Sequence, residues 1–292
     1  MTTDPRVDSR PAPLRIGPRL FSWGERTWIM GILNVTPDSF SGDGLLTTPD
    51  PAAAAVDHGR RMVADGADIL DIGGESTRPG HHRVADDDEI ARVGPVVAAL
   101  RSALPDTPLS IDTTKVAVAA AALDAGADLI NDVWGVSPDD SLLRLAADRG
   151  VPIVLMHNRA EARYTNLIPE IVADLQRAIE RALRVGIDWD DILIDPGFGF
   201  GKTAEHNLVL LRELPTLALL GRPILLGTSR KSTLGRVLDL PADQRLEATL
   251  ATTALAIAAG VDIVRVHDVR ENVRVARMAD AVVRGTWQEG EG

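Results

Sequence analysis

Short apolar, β-branched runs recur along the chain, and a longer amphipathic, Ala-rich stretch follows most of them. Eight runs stand out, at 27–35 (TWIMGILNV), 68–73 (DILDIG), 108–113 (PLSIDT), 129–133 (LINDV), 152–157 (PIVLMH), 192–196 (ILIDP), 223–229 (PILLGTS) and 263–268 (IVRVHD). Their length and near-continuous apolar character predict buried strands, and segments such as PAAAAVDHGRRMVADGA and IPEIVADLQRAIERALRVGI predict helices. Gly66, Gly126, Gly150, Gly186 and Gly260 fall where those helices should stop on a left-handed residue. DGAD, AGAD and AGVD lead into the second, fourth and eighth runs, a weak internal repeat.

Strands alternating with helices predict an α/β fold of the (β/α)8 TIM-barrel type, a parallel barrel inside a ring of helices. An open doubly wound sheet would usually carry a glycine fingerprint after its first strand, and NVTPDSFSGDG has none. LRIGPRLFSWGERTW, ahead of the first strand, reads as a short N-terminal hairpin that plugs the barrel's lower end. The expected organisation is a disordered arm at 1–13, one barrel domain at 14–286 and a frayed tail at 287–292. The arm has no apolar signal core.

Composition narrows the partners. Hydrophobic residues make up 45 % of the 292 positions and aromatics only 3 %, which suits a barrel wrapped by Ala-rich helices. The net charge of −11 argues against nucleic acid or an anionic membrane as the main partner, and no apolar run is long enough to span a bilayer. With no cysteine there is no disulfide, thiolate metal site or Cys nucleophile. A reducing, cytoplasmic setting is consistent with that.

In a barrel, chemistry gathers at the C-terminal ends of the strands. Here every predicted strand ends in polar residues: Asn34, Asp71, Asp112, Asn131-Asp132, His157, Asp195, Ser229-Arg230-Lys231, and Arg265 with His267. Singly, each has a plainer reading. Asp112 and Asp132 could be helix caps, and His157 could be a satisfied core histidine. Jointly they point to a ligand, because buried polar groups without partners are costly. Asp112, Asn131 and Asp195 are acceptors and an amide, suited to a flat, donor-rich heterocycle. Asn34, Thr77, Arg78, Arg230, Arg265 and His267 form a donor-rich half suited to phosphate or pyrophosphate. SRKSTLG begins a helix, whose free N–H groups favour an anion. DPGFGFGKT is not a P-loop, because Pro196 stands where that motif needs glycine; its glycines shape a tight loop that presents Phe198 or Phe200 to a ring-shaped ligand.

The stretches GILNVTPDSFS, DIGGESTRPG, SIDTTK, LINDV, LMHNR, DPGFGFGKTAEHN, GTSRKS and RVHDV, in this order, resemble the dihydropteroate synthases, the pterin-binding folate-pathway enzymes that sulfonamides target. The resemblance implies a transferase that joins 6-hydroxymethyl-7,8-dihydropterin pyrophosphate to p-aminobenzoate. By that resemblance Asp112, Asn131, Asp195 and Lys231 hold the pterin. Arg265 stacks over it and helps bind phosphate. Asn34, Thr77, Arg78 and His267 take the pyrophosphate, and Asn34 also faces Mg2+. Phe40, Pro79, Phe200, Lys231 and Ser232 line the p-aminobenzoate pocket. Asp112, Lys231, Arg265 and His267 are the expected catalytic set, the path is SN1-like, and the enzyme is a homodimer through its late helices.

One departure is local: the family's first loop runs SFSDGG, whereas here Gly42 and Asp43 stand in the other order. Three rival readings share the barrel. A pterin-domain methyltransferase has no need of the cationic cluster in SRKS and RVHDV. A non-catalytic paralogue should have lost site residues that are all present here. A generic phosphosugar barrel leaves the acceptor-rich half unexplained.

Overall fold

A two-stranded hairpin comes first in the computed structural model, which describes residues 10–36, 50–75 and 83–287. Its strands are β1 (Leu14–Ile16) and β2 (Arg19–Phe21). Then β3 (Trp28–Asn34), α1 (Pro51–Ala64), β4 (Ile69–Gly73), α2 (Asp86–Ala103), β5 (Leu109–Asp112) and α3 (Val116–Asp124) alternate. They continue as β6 (Leu129–Asp132), α4 (Ser141–Arg149), β7 (Ile153–Met156), α5 (Leu167–Arg184), β8 (Ile192–Asp195) and α6 (Ala204–Arg212). Last come β9 (Leu225–Leu226), α7 (Ser232–Leu238), α8 (Leu246–Ala258), β10 (Ile263–Val266) and α9 (Val269–Val283). Residues 1–9 of the expected arm and 288–292 of the expected tail lie outside the described residues.

The eight strands β3 to β10 are parallel, in the order β8-β7-β6-β5-β4-β3-β10-β9. The remaining seam is closed by a parallel bridge between Ile194 and Ile224, beside which the Ile194 N–H donates to the Pro223 carbonyl at 3.0 Å. The predicted barrel is therefore closed. Strand seven is far shorter than 223–229, because Pro223 has no N–H to give the ladder and the chain leaves the sheet after Leu226. The short α7 is an addition to the eight ring helices among the described residues. All five predicted stop glycines have positive φ.

Alternation along the strands makes two cores. One face packs the strands on the helices, with Ile29, Leu33, Leu70, Ile111, Ile130, Leu155 and Ile194 among its members. The other face fills the lower barrel with Met30, Ile69, Leu129, Val154, Leu193, Leu225 and Ile263, and the hairpin adds Leu14, Ile16, Phe21 and Trp23 beneath them. That is the predicted plug.

The DGAD-type repeat also acquires a structural meaning. Asp68, Asp128 and Asp262 each precede a strand and accept a hydrogen bond from the backbone N–H at the start of a neighbouring one. The donors are Ile29 (2.9 Å), Leu109 (2.9 Å) and Ile224 (3.0 Å). In each pair the aspartate's own N–H returns a bond to the same residue's carbonyl. Arginines balance two of these buried charges: Arg19 and Arg26 on Asp68, and Arg101 on Asp128. The acids at the lower end thus hold backbone, and the acids at the upper end are left for chemistry.

Candidate active site

Strand register carries the polar residues to one level. Asn34 pairs with Gly73, Gly73 with Asp112, and Asp112 with Asn131, so the ends of β3 to β6 form a single rung at the mouth. A methyl carbon placed on Gly73 would lie 3.9 Å from both Asn34 Oδ1 and Asp112 Oδ2, so these two oxygens converge over the glycine. Asp195 ends β8, and its Oδ1 accepts from the Gly197 N–H at 2.7 Å. Asp112, Asn131 and Asp195 are all buried.

Arg265 lies among these acids, not apart from them. Its Nε donates to Asp71 Oδ2 at 2.5 Å and one terminal nitrogen donates to Asp112 Oδ2 at 2.7 Å. Asn131 Nδ2 donates to the same Asp71 oxygen at 3.1 Å. The donor-rich and acceptor-rich halves read from the sequence are therefore interlocked through Arg265. Asp71, wholly buried in the middle of β4, is the strand-end acid to which sequence reasoning assigned no role. Its signal was a carboxylate two positions before Gly73, hence on the inward face.

Two acceptors in this cluster are unmet. Asp71 Oδ1 and Asp112 Oδ1 are buried and have no hydrogen-bond partner among the described residues. Burial pushes the Asp112 carboxyl up to about 7, against the opposing pull of Arg265 and with a further push from Asp71. Asp195 is also raised by burial. Unmet carboxylate oxygens at a barrel mouth are what a ligand with several N–H donors would satisfy.

Arg265 lies on β10, and His267 follows directly after its last residue. The His267 N–H donates to Ser229 Oγ at 3.2 Å, and that hydroxyl lies 2.8 Å from His267 Nδ1. Arg230 is ion-paired through its guanidinium with Asp268 at 2.5 Å. Its backbone is left-handed, at φ 56°, and is fastened by Thr249 Oγ1 on its N–H and Arg245 on its carbonyl.

Lys231 stands just before α7, and its ammonium donates to the Phe198 carbonyl and lies 4.4 Å from the centre of the Phe200 ring. Removal from water lowers it to about 8. Ser232 is the first residue of α7. Phe200 lines a cavity of about 400 Å³ that runs from Asp112 past Lys115 to Trp134. Phe198 is buried between barrel and helices, so its carbonyl, not its ring, faces the site. The glycines explain the path of this loop. A Cβ on Gly197 would sit 1.8 Å from the His157 carbonyl, and one on Gly199 would sit 2.7 Å from Lys231 Cδ; both residues have positive φ. Phe40, Thr77, Arg78 and Pro79, with Gly42 and Asp43, lie outside the described residues.

The other strand-end acids divide. Asp132 accepts from the Trp134 N–H at 2.9 Å and serves a turn. His157 is the satisfied core histidine, held between Asp174 at 3.1 Å and Lys202 at 3.0 Å. Lys115 is nearly buried, on Glu75 (2.5 Å), Glu89 (2.6 Å) and the Val84 carbonyl (2.6 Å). No group of three or more His, Cys, Asp or Glu among the described residues is placed to hold a metal. Asn34 does offer a neutral oxygen at the mouth, the type of donor that suits a Mg2+ held mainly by phosphate oxygens and water.

A closed parallel barrel with titratable groups crowded at the C-terminal ends of its strands defines a (β/α)8-barrel enzyme. A family described as "Pterin binding enzyme" matches residues 30–267. The chain belongs to that family and, within it, to the dihydropteroate synthases. It is 49 % identical to the dihydropteroate synthase of Clostridium beijerinckii over 272 residues, 93 % of this chain and 100 % of the relative. Among solved structures, the Clostridium difficile enzyme in the presence of pteroic acid superposes with a TM-score of 0.86 at 48 % identity, covering 90 % of this chain and 99 % of that one. The Xanthomonas albilineans enzyme with 4-aminobenzoic acid also gives 0.86, at 42 % identity, covering 93 % and 98 %.

Proposed function

We propose that the chain condenses 6-hydroxymethyl-7,8-dihydropterin pyrophosphate with p-aminobenzoate, giving 7,8-dihydropteroate and pyrophosphate in folate biosynthesis. The observation that carries this reading is the pair of buried, unmet carboxylate oxygens on Asp71 and Asp112 beside Asn131 and Arg265. Asp112, Asn131 and Asp195 accept from the amino-pyrimidinone edge, with Lys231 and Arg265 completing the pterin site. Asn34, Thr77, Arg78, Arg265 and His267 hold the pyrophosphate. Phe40, Pro79, Phe200 and Ser232 surround p-aminobenzoate.

The path is SN1-like. The C–O bond to pyrophosphate breaks, its electron pair leaves with the pyrophosphate oxygen, and a delocalised pterin methylene cation remains. Asp112 stabilises that cation electrostatically from within the low-dielectric mouth. The arylamine nitrogen then forms the C–N bond and loses a proton. Mg2+, facing Asn34, supplies charge neutralisation for the leaving group when bound. Arg265 and His267 hold the same oxygens from the last strand.

The working form is a cytoplasmic homodimer. Leu255 on α8, with Met278 and Val282 four apart on α9, are strongly exposed apolar side chains on adjacent late helices and support that assembly. No helix among the described residues is long and apolar enough to cross a membrane.

The test is pyrophosphate release with both substrates, with and without Mg2+. The reading expects release that needs both substrates and falls on chelation. No release under any of these conditions overturns it.

A further inference from the structure

We propose that Lys202 is a positioning residue: its ammonium ties together the carbonyls of Gly197 and Phe200 and so sets the loop that holds Lys231 and presents Phe200 to p-aminobenzoate. This rests on the synthase reading of the site above.

The ammonium has three protons and three acceptors: the Gly197 carbonyl at 3.0 Å, the Phe200 carbonyl at 3.1 Å and His157 Nδ1 at 3.0 Å. Because Nδ1 accepts, the neutral imidazole carries its proton on Nε2 and donates it to Asp174 Oδ2 at 3.1 Å. The order is therefore Asp174 carboxylate, His157, Lys202, loop. Burial first, and then the neighbouring Lys202, itself lowered to about 7 by burial, hold His157 down at about 3, so the ring stays neutral. Arg159 bonds the same Asp174 oxygen at 2.7 Å and fixes the far end.

Within the loop the Phe200 N–H donates to the Gly197 carbonyl at 3.1 Å, and further bonds run to other elements. The Gly197 N–H goes to Asp195, the Gly199 N–H to Asn207 Oδ1 at 2.8 Å, and the Gly201 carbonyl accepts from the Tyr164 hydroxyl at 2.8 Å. Asn207 also donates to Thr233 Oγ1 at 2.8 Å, which couples the loop to α7 directly behind Ser232. Lys202 braces from its side chain the same two residues that the Phe200 N–H to Gly197 carbonyl bond joins, and so reinforces the turn that points the Phe198 carbonyl at Lys231. Removing it leaves the Phe200 carbonyl and His157 Nδ1 without their donor.

The experiment compares wild type with Lys202→Met and Lys202→Gln in steady-state kinetics and in amide hydrogen exchange of the free protein. Lys202→Met should raise the p-aminobenzoate KM about tenfold while the pterin pyrophosphate KM stays within about twofold. Exchange at the Gly199 and Phe200 amides should speed up by about tenfold or more, with the strands unchanged. Lys202→Gln, which retains donors, should fall between the two, and it carries the test if the Met variant does not fold. Equal changes in both KM values, a fall in kcat alone, or unchanged exchange overturns the proposal. A wild type that releases no pyrophosphate overturns the synthase reading and with it the p-aminobenzoate role, and exchange then decides on its own whether Lys202 orders the loop.

Discussion

A terminal guanidinium nitrogen of Arg265, on the last strand, lies 2.7 Å from the Asp112 carboxylate, on the third strand of the barrel. The same guanidinium bonds Asp71 on β4, one of the two strands between them in the barrel. Substrate therefore enters a site that already holds an internal ion pair, and binding is an exchange of partners. Replacing Arg265 with Met removes one cation from two buried acids. A cost of about 3–5 kcal/mol is expected from breaking such a buried pair, together with loss of pyrophosphate release. Chemical denaturation and the release assay check the two effects separately. A variant as stable as the wild type contradicts the buried pairing.

The Asp112 carboxyl, raised from 3.8 to about 7 by burial, also makes stability depend on pH. Its folded form binds a proton more tightly than its unfolded form. The stability it contributes is full below about pH 3.8 and is lost as pH rises through about 7. Asp112→Asn cannot ionise and should show a flatter curve across that window. Urea unfolding at pH 4, 5.5 and 7 measures the difference; parallel curves for the two proteins count against it.

Lys231 is lowered to about 8 by desolvation, so it is charged below that pH and neutral above it. If its charge helps hold substrate, kcat/KM should fall on the alkaline side near pH 8. Lys231→Arg keeps the cation at all working pH values and should push that limb up by about one pH unit or more, at lower overall activity. An unmoved limb assigns the titration to another group.

Gly197 and Gly199 sit in one loop but should fail differently. At Gly197 the added methyl meets the His157 backbone carbonyl, which has nowhere to go. At Gly199 it meets the flexible stem of Lys231. Gly197→Ala should lower stability by about 2 kcal/mol or more, whereas Gly199→Ala should cost about 1 kcal/mol and raise substrate KM values instead. Thermal melts beside kinetics distinguish the two, and identical profiles would falsify the assignment.

Lys115 is tied to Glu75, Glu89 and the Val84 carbonyl at the cavity wall. Lys115→Met strands two acids and should destabilise by about 3 kcal/mol, and Lys115→Met combined with Glu75→Gln and Glu89→Gln should recover part of that loss. Denaturation midpoints settle the comparison; a triple variant no better than the single one removes Lys115 from this network.

Much of this architecture was legible in the chain. Apolar runs bounded by polar ends gave the strands, and those ends placed Asp112, Asn131 and Arg265 at the mouth of the barrel. Partnership was not legible. Arg265 and Asp71 are 194 positions apart, and Lys202 and His157 are 45 apart. Such pairs depend on barrel closure, and closure is a property of all the strands together. Asp71 stood among the strand-end polar residues, but its role depends on Arg265 and Asn131, partners that lie on other strands. Strand seven came out shorter than its apolar run because Pro223 removes a ladder donor, a backbone effect that side-chain pattern does not report.

The hairpin beneath the barrel has a kinetic consequence. With Leu14, Ile16, Phe21 and Trp23 packed under the lowest layer, the barrel is a blind tube. A blind tube fills and empties through one opening, so the molecule that sits deeper must arrive first and depart last. The order of addition and release is then set by depth, a matter of plumbing rather than of affinity.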